Sequence, residues 1–236
     1  MRIFDGIETV GTGLWLAAHE TLVVCDVHLG YESELVRKGV LVPSVQRGQV
    51  EQEVKFMLSR VRPKRIVING DLKHEFGAIN RQEWRDVTAL LKFLRAQCEE
   101  LVVLEGNHDP LLDPIARKVN ISLGRELRLG EILITHGDRI PKKLAPVVII
   151  GHEHPAVSIR EGAKAEKFKC FLKGKFKRSV LIVQPSLQPL VEGSDVLAGG
   201  LLSPLITDID SFEVFVVDSV RKDALFFGKI KYLRGV

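Results

Sequence analysis

Cysteine is scarce in this 236-residue chain: Cys25, Cys98 and Cys170 are far apart, odd in number and in no CxxC pair. That excludes a disulfide framework and a thiolate zinc knuckle, and fits buried structural thiols in a reducing compartment. Long apolar runs are missing. No stretch nears the ~18 uninterrupted apolar residues that would span a bilayer. The opening Met1-Arg2-Ile3-Phe4-Asp5-Gly6 carries no apolar segment with a small-residue cleavage site, so a cytoplasmic protein with no membrane contact is expected. Repeats, low-complexity tracts and a long linker are also absent, so one domain over residues 1–236 is expected. Charge excess is slight, 34 Lys+Arg against 30 Asp+Glu, a net +4. This is compatible with an anionic substrate without specifying one.

What is present is a series of short apolar runs. Thr21-Leu22-Val23-Val24-Cys25, Arg65-Ile66-Val67-Ile68-Asn69, Leu101-Val102-Val103-Leu104 and Pro146-Val147-Val148-Ile149-Ile150 read as strands buried on both faces. Ile7 to Ala18 reads as short antiparallel strands with Gly11 and Gly13 as turn residues. A helix is predicted from Pro43-Ser44 to Arg60, with Val50, Val54, Met57, Leu58 and Val61 at helical spacing. Asn80 with Glu83 resembles a capping pair before a second helix carrying Val87, Leu90, Leu91 and Leu94. A short helix fits Leu111 to Lys118. Ile121 to Thr135 suggests an antiparallel meander. The order is β-α-β-α-β followed mostly by strands.

The strands end alike. Asp26-Val27-His28, Gly70-Asp71, Gly106-Asn107-His108-Asp109, His136-Gly137-Asp138 and Gly151-His152-Glu153-His154 each follow an apolar run. In open α/β sheets ligands bind beyond the carboxyl ends of the strands. If the strands lie side by side, carboxylates, an amide oxygen and several imidazoles gather at one edge. Burying such a set needs partners, and metal ions suit it. Mixed oxygen and nitrogen donors without thiolate suit manganese, iron or zinc better than magnesium. Seven donors are too many for one tetrahedral site but fit two ions sharing a carboxylate. Such a pair can generate a hydroxide and clamp a phosphoryl group.

Isolated Gly-Asp means nothing. The tetrapeptide Gly-Asn-His-Asp, however, would arise by chance in about one in a thousand chains of this length, and five ordered motifs are far more specific. Together they resemble the motif set of the calcineurin-like metallophosphoesterase superfamily, over Leu22 to Pro155 and continuing in Val183-Gln184-Pro185-Ser186. The phrases Asp26 to Glu32 and Asn69 to Gly77 resemble its archaeal and bacterial ICC-like branch, which includes an enzyme associated with a DNA ligase and helicase.

The resemblance implies a four-layer α/β/β/α sandwich with a dimetal site at the strand ends. It implies Asp26, His28 and His154 on one metal, Asn107, His136 and His152 on the other, and Asp71 bridging both. His108 would face the phosphate and stabilise or protonate the leaving oxygen, with Asp109 orienting its ring. His74 resembles an auxiliary histidine of the superfamily's double-strand-break repair nucleases. The expected cofactors are two divalent ions, manganese first, with iron, zinc and nickel as alternatives. The implied activity is phosphodiester hydrolysis by a metal-bridging hydroxide, with DNA or RNA among the substrates and a helicase or ligase among the partners. Alternatives are a small-molecule nucleotide phosphodiesterase or pyrophosphatase, and a non-catalytic metal-binding scaffold.

Other features carry plainer expectations. Glu153 is expected to be exposed, and Asp138 to bond its own backbone turn. His19 is given no function. In Lys167 to Arg178, lysines interleave with Phe168, Phe171 and Phe176. A nucleic-acid hairpin would use them as phosphate contacts and stacking rings. The preferred reading is a charged hairpin edge with Gly174 in its turn.

Overall fold

The apolar runs alternate in where their side chains go. Even-numbered Leu22, Val24, Ile66 and Ile68 pack to one side, and odd-numbered Val23 and Val67 to the other. Period-two alternation of this kind gives a sheet two apolar faces to cover. The computed structural model describes residues 1–75, 81–109, 111–161 and 164–234.

Sheet one runs in chain order: β1 (Arg2–Phe4), β2 (Ile7–Val10), β3 (Gly13–Leu16), β4 (Thr21–Val24), β5 (Arg65–Asn69), β6 (Glu100–Leu104) and β7 (Ser122–Gly124). From β4 to β7 all pairings are parallel. Helices α1 (Tyr31–Arg37) and α2 (Gln46–Arg60) follow β4, α3 (Arg81–Arg95) follows β5, and α4 (Asp113–Val119) follows β6. Val50, Val54 and Met57 of α2, Val87, Leu91 and Leu94 of α3 and Ile115 of α4 cover the outer face. Residue 80, the expected cap of α3, lies outside the described residues.

Sheet two contains β8 (Glu126–Leu129), β9 (Ile132–Thr135), β10 (Val147–Ile150), β11 (Pro155–Glu161), β12 (Lys164–Phe176), β13 (Ser179–Val183), β14 (Ser194–Asp195), β15 (Glu213–Val217) and β16 (Ala224–Lys229). Its order is β14-β11-β12-β13-β10-β9-β8, with β15 also pairing β12 and β16 pairing β15. Strands β9, β10 and β13 are parallel. Ile134, Val147, Ile149, Phe171 and Ile182 face Val23, Val67 and Val102 across the gap between the sheets. The outer face of sheet two is covered by Leu205, Ile206, Ile209 and Phe212, and by Ile230 of the four-residue helix α5 (Ile230–Leu233). The sandwich therefore has its expected layers, the last one thin. Among the described residues no helix is long and apolar enough to cross a membrane.

Two expectations are corrected. Ile121 to Thr135 is not one meander: β7 lies parallel beside β6 in sheet one, while β8 and β9 form a hairpin in sheet two. Helix α4 makes the crossover that a parallel neighbour requires. Gly174 is not in a turn. It sits inside β12, where a Cβ would come within 2.4 Å of the Phe212 ring. The hairpin turns at Lys177-Arg178, between the paired Phe176 and Ser179. Phe171 and Phe176 are core residues and Phe168 packs on the outer cluster, so these rings are not free to stack on bases.

Candidate dimetal centre

The two parallel strand sets end at the same place, β4, β5 and β6 from one sheet and β9 and β10 from the other. Asp26, His28, Asp71, His152 and His154 all take the left-handed backbone region, at φ values of 51, 46, 48, 64 and 48°. They are five of the nine non-glycine residues with positive φ among those described. Each costs about 1 kcal/mol or more, and persists only where surrounding bonds over-determine it.

Those bonds are present. Asp26 N–H donates to Gly70 O at 3.1 Å and His28 N–H to Asp71 O at 2.9 Å, so the two loops run as a short ladder. Asp26 O accepts from Ser186 Oγ at 2.9 Å. His28 O accepts from Gln46 Nε2 at 2.7 Å and Gln188 Nε2 at 3.3 Å. His152 N–H donates to Asp26 Oδ2 at 3.0 Å, and His108 N–H to Asp71 Oδ1 at 2.9 Å. The motif glycines permit close approach. A Cβ at Gly106 would sit 2.1 Å from Asp71 Oδ1, and one at Gly151 would sit 2.5 Å from Asp26 Oδ2.

Donor atoms of Asp26, His28, Asp71 and His154 lie within 4.8 Å of one another, as do those of Asp71, His136 and His152. Asp71 belongs to both groups. Asn107 Oδ1 is 3.0 Å from His136 Nε2. His28 Nε2 is 3.2 Å from His154 Nε2, and His152 Nδ1 is 3.1 Å from His136 Nε2. A third group joins His28, His74 and His108.

The protonation of the cluster is contested. Burial would raise the Asp26 carboxyl, but His154, His136 and His28 outweigh it and hold it below the carboxylate range. Burial, with neighbouring His154, pushes His28 down to about 3. Burial opposes charge on His136, yet Asp71 and Asp26 carry it up to about 9. Asp26 Oδ1, His28 Nδ1 and His136 Nδ1 are buried with no hydrogen-bond partner among the described residues. Divalent cations fit this donor set, since they would take up lone pairs that few protons are present to satisfy.

The structure departs from the sequence reading at two site residues. Asp109 does not serve as the holder of the His108 ring. Its oxygens accept the N–H groups of Leu72, Lys73 and Gly106 at 3.2, 3.2 and 3.1 Å, tying the loop after β5 to the loop after β6. Burial, with Asp71 adding, pushes its carboxyl up to about 6. The His108 ring is held instead by the His74 carbonyl, 2.5 Å from its Nδ1. Glu153 is not exposed but 1% accessible, accepting the N–H groups of Leu202 and Ser203, both at 2.9 Å.

Two supporting glutamines, Gln46 and Gln188, were missed, and Gln184 was singled out only as part of a motif, with no role. Gln46 had a signal, since it stands in line with Val50, Val54 and Met57 on the buried face of α2. Gln184 Nε2 bonds Val23 O at 2.8 Å, and Gln188 lies two residues past Ser186. Within the run Lys167 to Arg178, Lys169 contributes support, its Nζ donating to Ser186 O and Gln188 O, whereas Lys175, Lys177 and Arg178 are exposed.

No protein-family model matches the chain, and no curated protein matches it. Among solved structures it is similar to the nuclease MPE of Pseudomonas putida, with a TM-score of 0.64 at 17% identity, covering 88% of this chain and 90% of that one. The phosphoesterase YfcE of E. coli gives a TM-score of 0.44 at 14% identity over 89% and 98%. A zinc complex of Vps29 from Entamoeba histolytica gives 0.34 at 13% over 88% and 96%. Two facing sheets whose parallel strands deliver one histidine and aspartate cluster, together with the first of these likenesses, show that the chain has the metallophosphoesterase-type fold.

Proposed function

We propose that the chain is a dimetal-dependent phosphodiesterase. The observation that carries this reading is the convergence of seven donors from five strand ends onto two groups sharing Asp71. Asp26, His28 and His154 would hold one ion, Asn107, His136 and His152 the other, and Asp71 both. Manganese is the first ion to try, with iron, zinc and nickel next, because the donors are oxygen and nitrogen without thiolate. Two bound divalent ions supply Lewis acidity, lowering the pKa of a water and drawing charge from phosphoryl oxygens.

The chain's residues do the rest. His108 N–H fixes the Asp71 carboxylate, and Asp109 fixes the loops on which both stand. With its Nδ1–H given to His74 O, His108 has its Nε2 4.0 Å from Asp71 Oδ2, on the side of the donor cluster. Protonated at Nε2, it would donate to the leaving oxygen. A nuclease on the same fold makes polynucleotide the first natural diester to test.

The experiment is hydrolysis of bis-p-nitrophenyl phosphate beside p-nitrophenyl phosphate, by metal-stripped protein with Mn²⁺, Ni²⁺, Zn²⁺ or Mg²⁺ restored. Manganese-dependent cleavage of the diester over the monoester is expected, followed by cleavage of single-stranded DNA or RNA. No turnover of either ester with two ions bound per chain sinks the proposal.

A further inference from the structure

Beside the ligand cluster, two histidines are held through one another. The rings of His74 and His108 stack with centroids 5.8 Å apart and planes at 25°, and His108 Nδ1 meets the His74 carbonyl. The His74 ring is itself held from outside. Its Nε2 is hydrogen-bonded to Glu34 Oε2 of α1, and the edge of Tyr31 packs on it with centroids 5.0 Å apart. Its Nδ1 is buried with no hydrogen-bond partner among the described residues. The ring lies 5.6 Å from that of His28. Arg37 with Glu75 makes a second link between α1 and the loop after β5, and the other oxygen of Glu34 meets Lys38.

The nitrogen of an imidazole that carries the proton is set by the bond its other nitrogen makes. We infer that Glu34 is a positioning residue: accepting the Nε2–H of His74, it leaves the lone pair on Nδ1 among His28 and His108, and keeps the His74 carbonyl where it holds His108. A neutral ring with the opposite tautomer would turn its lone pair to the carboxylate and lose this bond. The other carboxylate of α1, Glu32, is engaged elsewhere, accepting from Ser44 Oγ and from the N–H groups of Val45 and Gln46. The kinetic consequence rests on the phosphodiesterase reading, whereas the tautomer of His74 does not.

The test combines nitrogen-15 spectra of the zinc-loaded protein with steady-state kinetics on bis-p-nitrophenyl phosphate. In the wild type His74 shows the Nε2–H tautomer. In Glu34→Ala that signature becomes a mixture and kcat falls about tenfold, the low end of what loss of an orienting partner does, with KM and two ions per chain unchanged. Glu34→Gln, whose amide oxygen still accepts, recovers most of kcat. Glu34→Asp, one methylene shorter, moves both readouts in the same direction as alanine and serves should Glu34→Ala not fold. Lys38→Ala leaves both unchanged. Added to His74→Ala, Glu34→Ala costs nothing further. An unchanged tautomer in Glu34→Ala, loss of metal together with kcat, or additive effects of the two substitutions overturns the inference. If the wild type turns over no phosphodiester, the functional reading falls, and the spectra alone decide the role of Glu34.

Discussion

Lys169 Nζ donates to Ser186 O at 2.8 Å, and Ser186 Oγ donates to Asp26 O at 2.9 Å. An ammonium on β12 thus presses the strap after β13 against the back of a strained aspartate. Burial is the main cause that pulls this lysine down from its ordinary 10.5 to about 8. Between those values the unfolded chain holds the proton and the folded chain does not. The penalty for burying the charge is therefore full below about pH 8 and is relieved as pH rises towards 10.5. The stability of wild type relative to Lys169→Met should climb over that window by at most about 3 kcal/mol. Urea unfolding of both proteins at pH 7 and pH 10 measures it, and a difference that stays flat refutes the linkage.

Asp71 belongs to both donor groups, with Oδ2 3.6 Å from His28 Nε2 and 3.4 Å from His136 Nε2. Asp71→Asn should lower affinity for both ions together, since it removes a charge that each shares. Metal content by mass spectrometry, titrated against a chelator, reads this directly. Emptying of one site with the other intact would remove Asp71 from the shared position.

The parallel strands and the cluster at their ends were legible because both rest on local pattern, whereas the sandwich was implied only by the family resemblance. Buried parallel strands read as continuous apolar runs, and each motif sits at the end of one. Other features were not legible, for particular reasons. Helix α1 is seven residues long and buries only Glu32, so it has no apolar stripe to read. Gly174 looked like a turn because a glycine does not announce whether it bends the chain or admits a ring. The ring it admits, Phe212, lies far along the sequence. Glu153 looked exposed because the motif it sits in tolerates any residue there, as a side chain pointing away from its two histidine neighbours would allow. Left-handed backbone at His152 and His154 breaks that alternation. Glu34 and Asp109 have partners on other loops, and no spacing within their own segments marks them.

Glu153 carries a stability role that its position between two histidines hides. Its Oε2 accepts two backbone N–H groups from the loop at Leu202-Ser203. Burial raises its carboxyl above the ordinary value. Glu153→Ala should leave those two donors unsatisfied and destabilise the fold by about 1–3 kcal/mol. Glu153→Gln, which can still accept, should cost less. Thermal melts rank the two, and equal losses would show that the carboxylate's position here is incidental.

One substitution at two glycines should have opposite signs. Gly48 is exposed within α2, and a Cβ there meets nothing within 4 Å. Gly48→Ala should stabilise by roughly 0.5–1 kcal/mol, because alanine gives up less backbone freedom in a helix. At Gly106 the same methyl would stand 2.1 Å from Asp71 Oδ1 and 2.5 Å from the Asp71 amide nitrogen. Backbone cannot yield as a flexible side chain can, so the loops after β5 and β6 must part. That separation pulls Asp71 from His28 and His136 and strips the Asp109 carboxylate from Gly106 N–H. Gly106→Ala should therefore lower the melting temperature and abolish tight binding of both ions, while Gly48→Ala raises it and leaves ion binding alone. Paired thermal melts with and without manganese make the comparison. A Gly106→Ala protein that still gains wild-type stabilisation from the metal would show that the close approach of Gly106 to Asp71 does not govern the cluster.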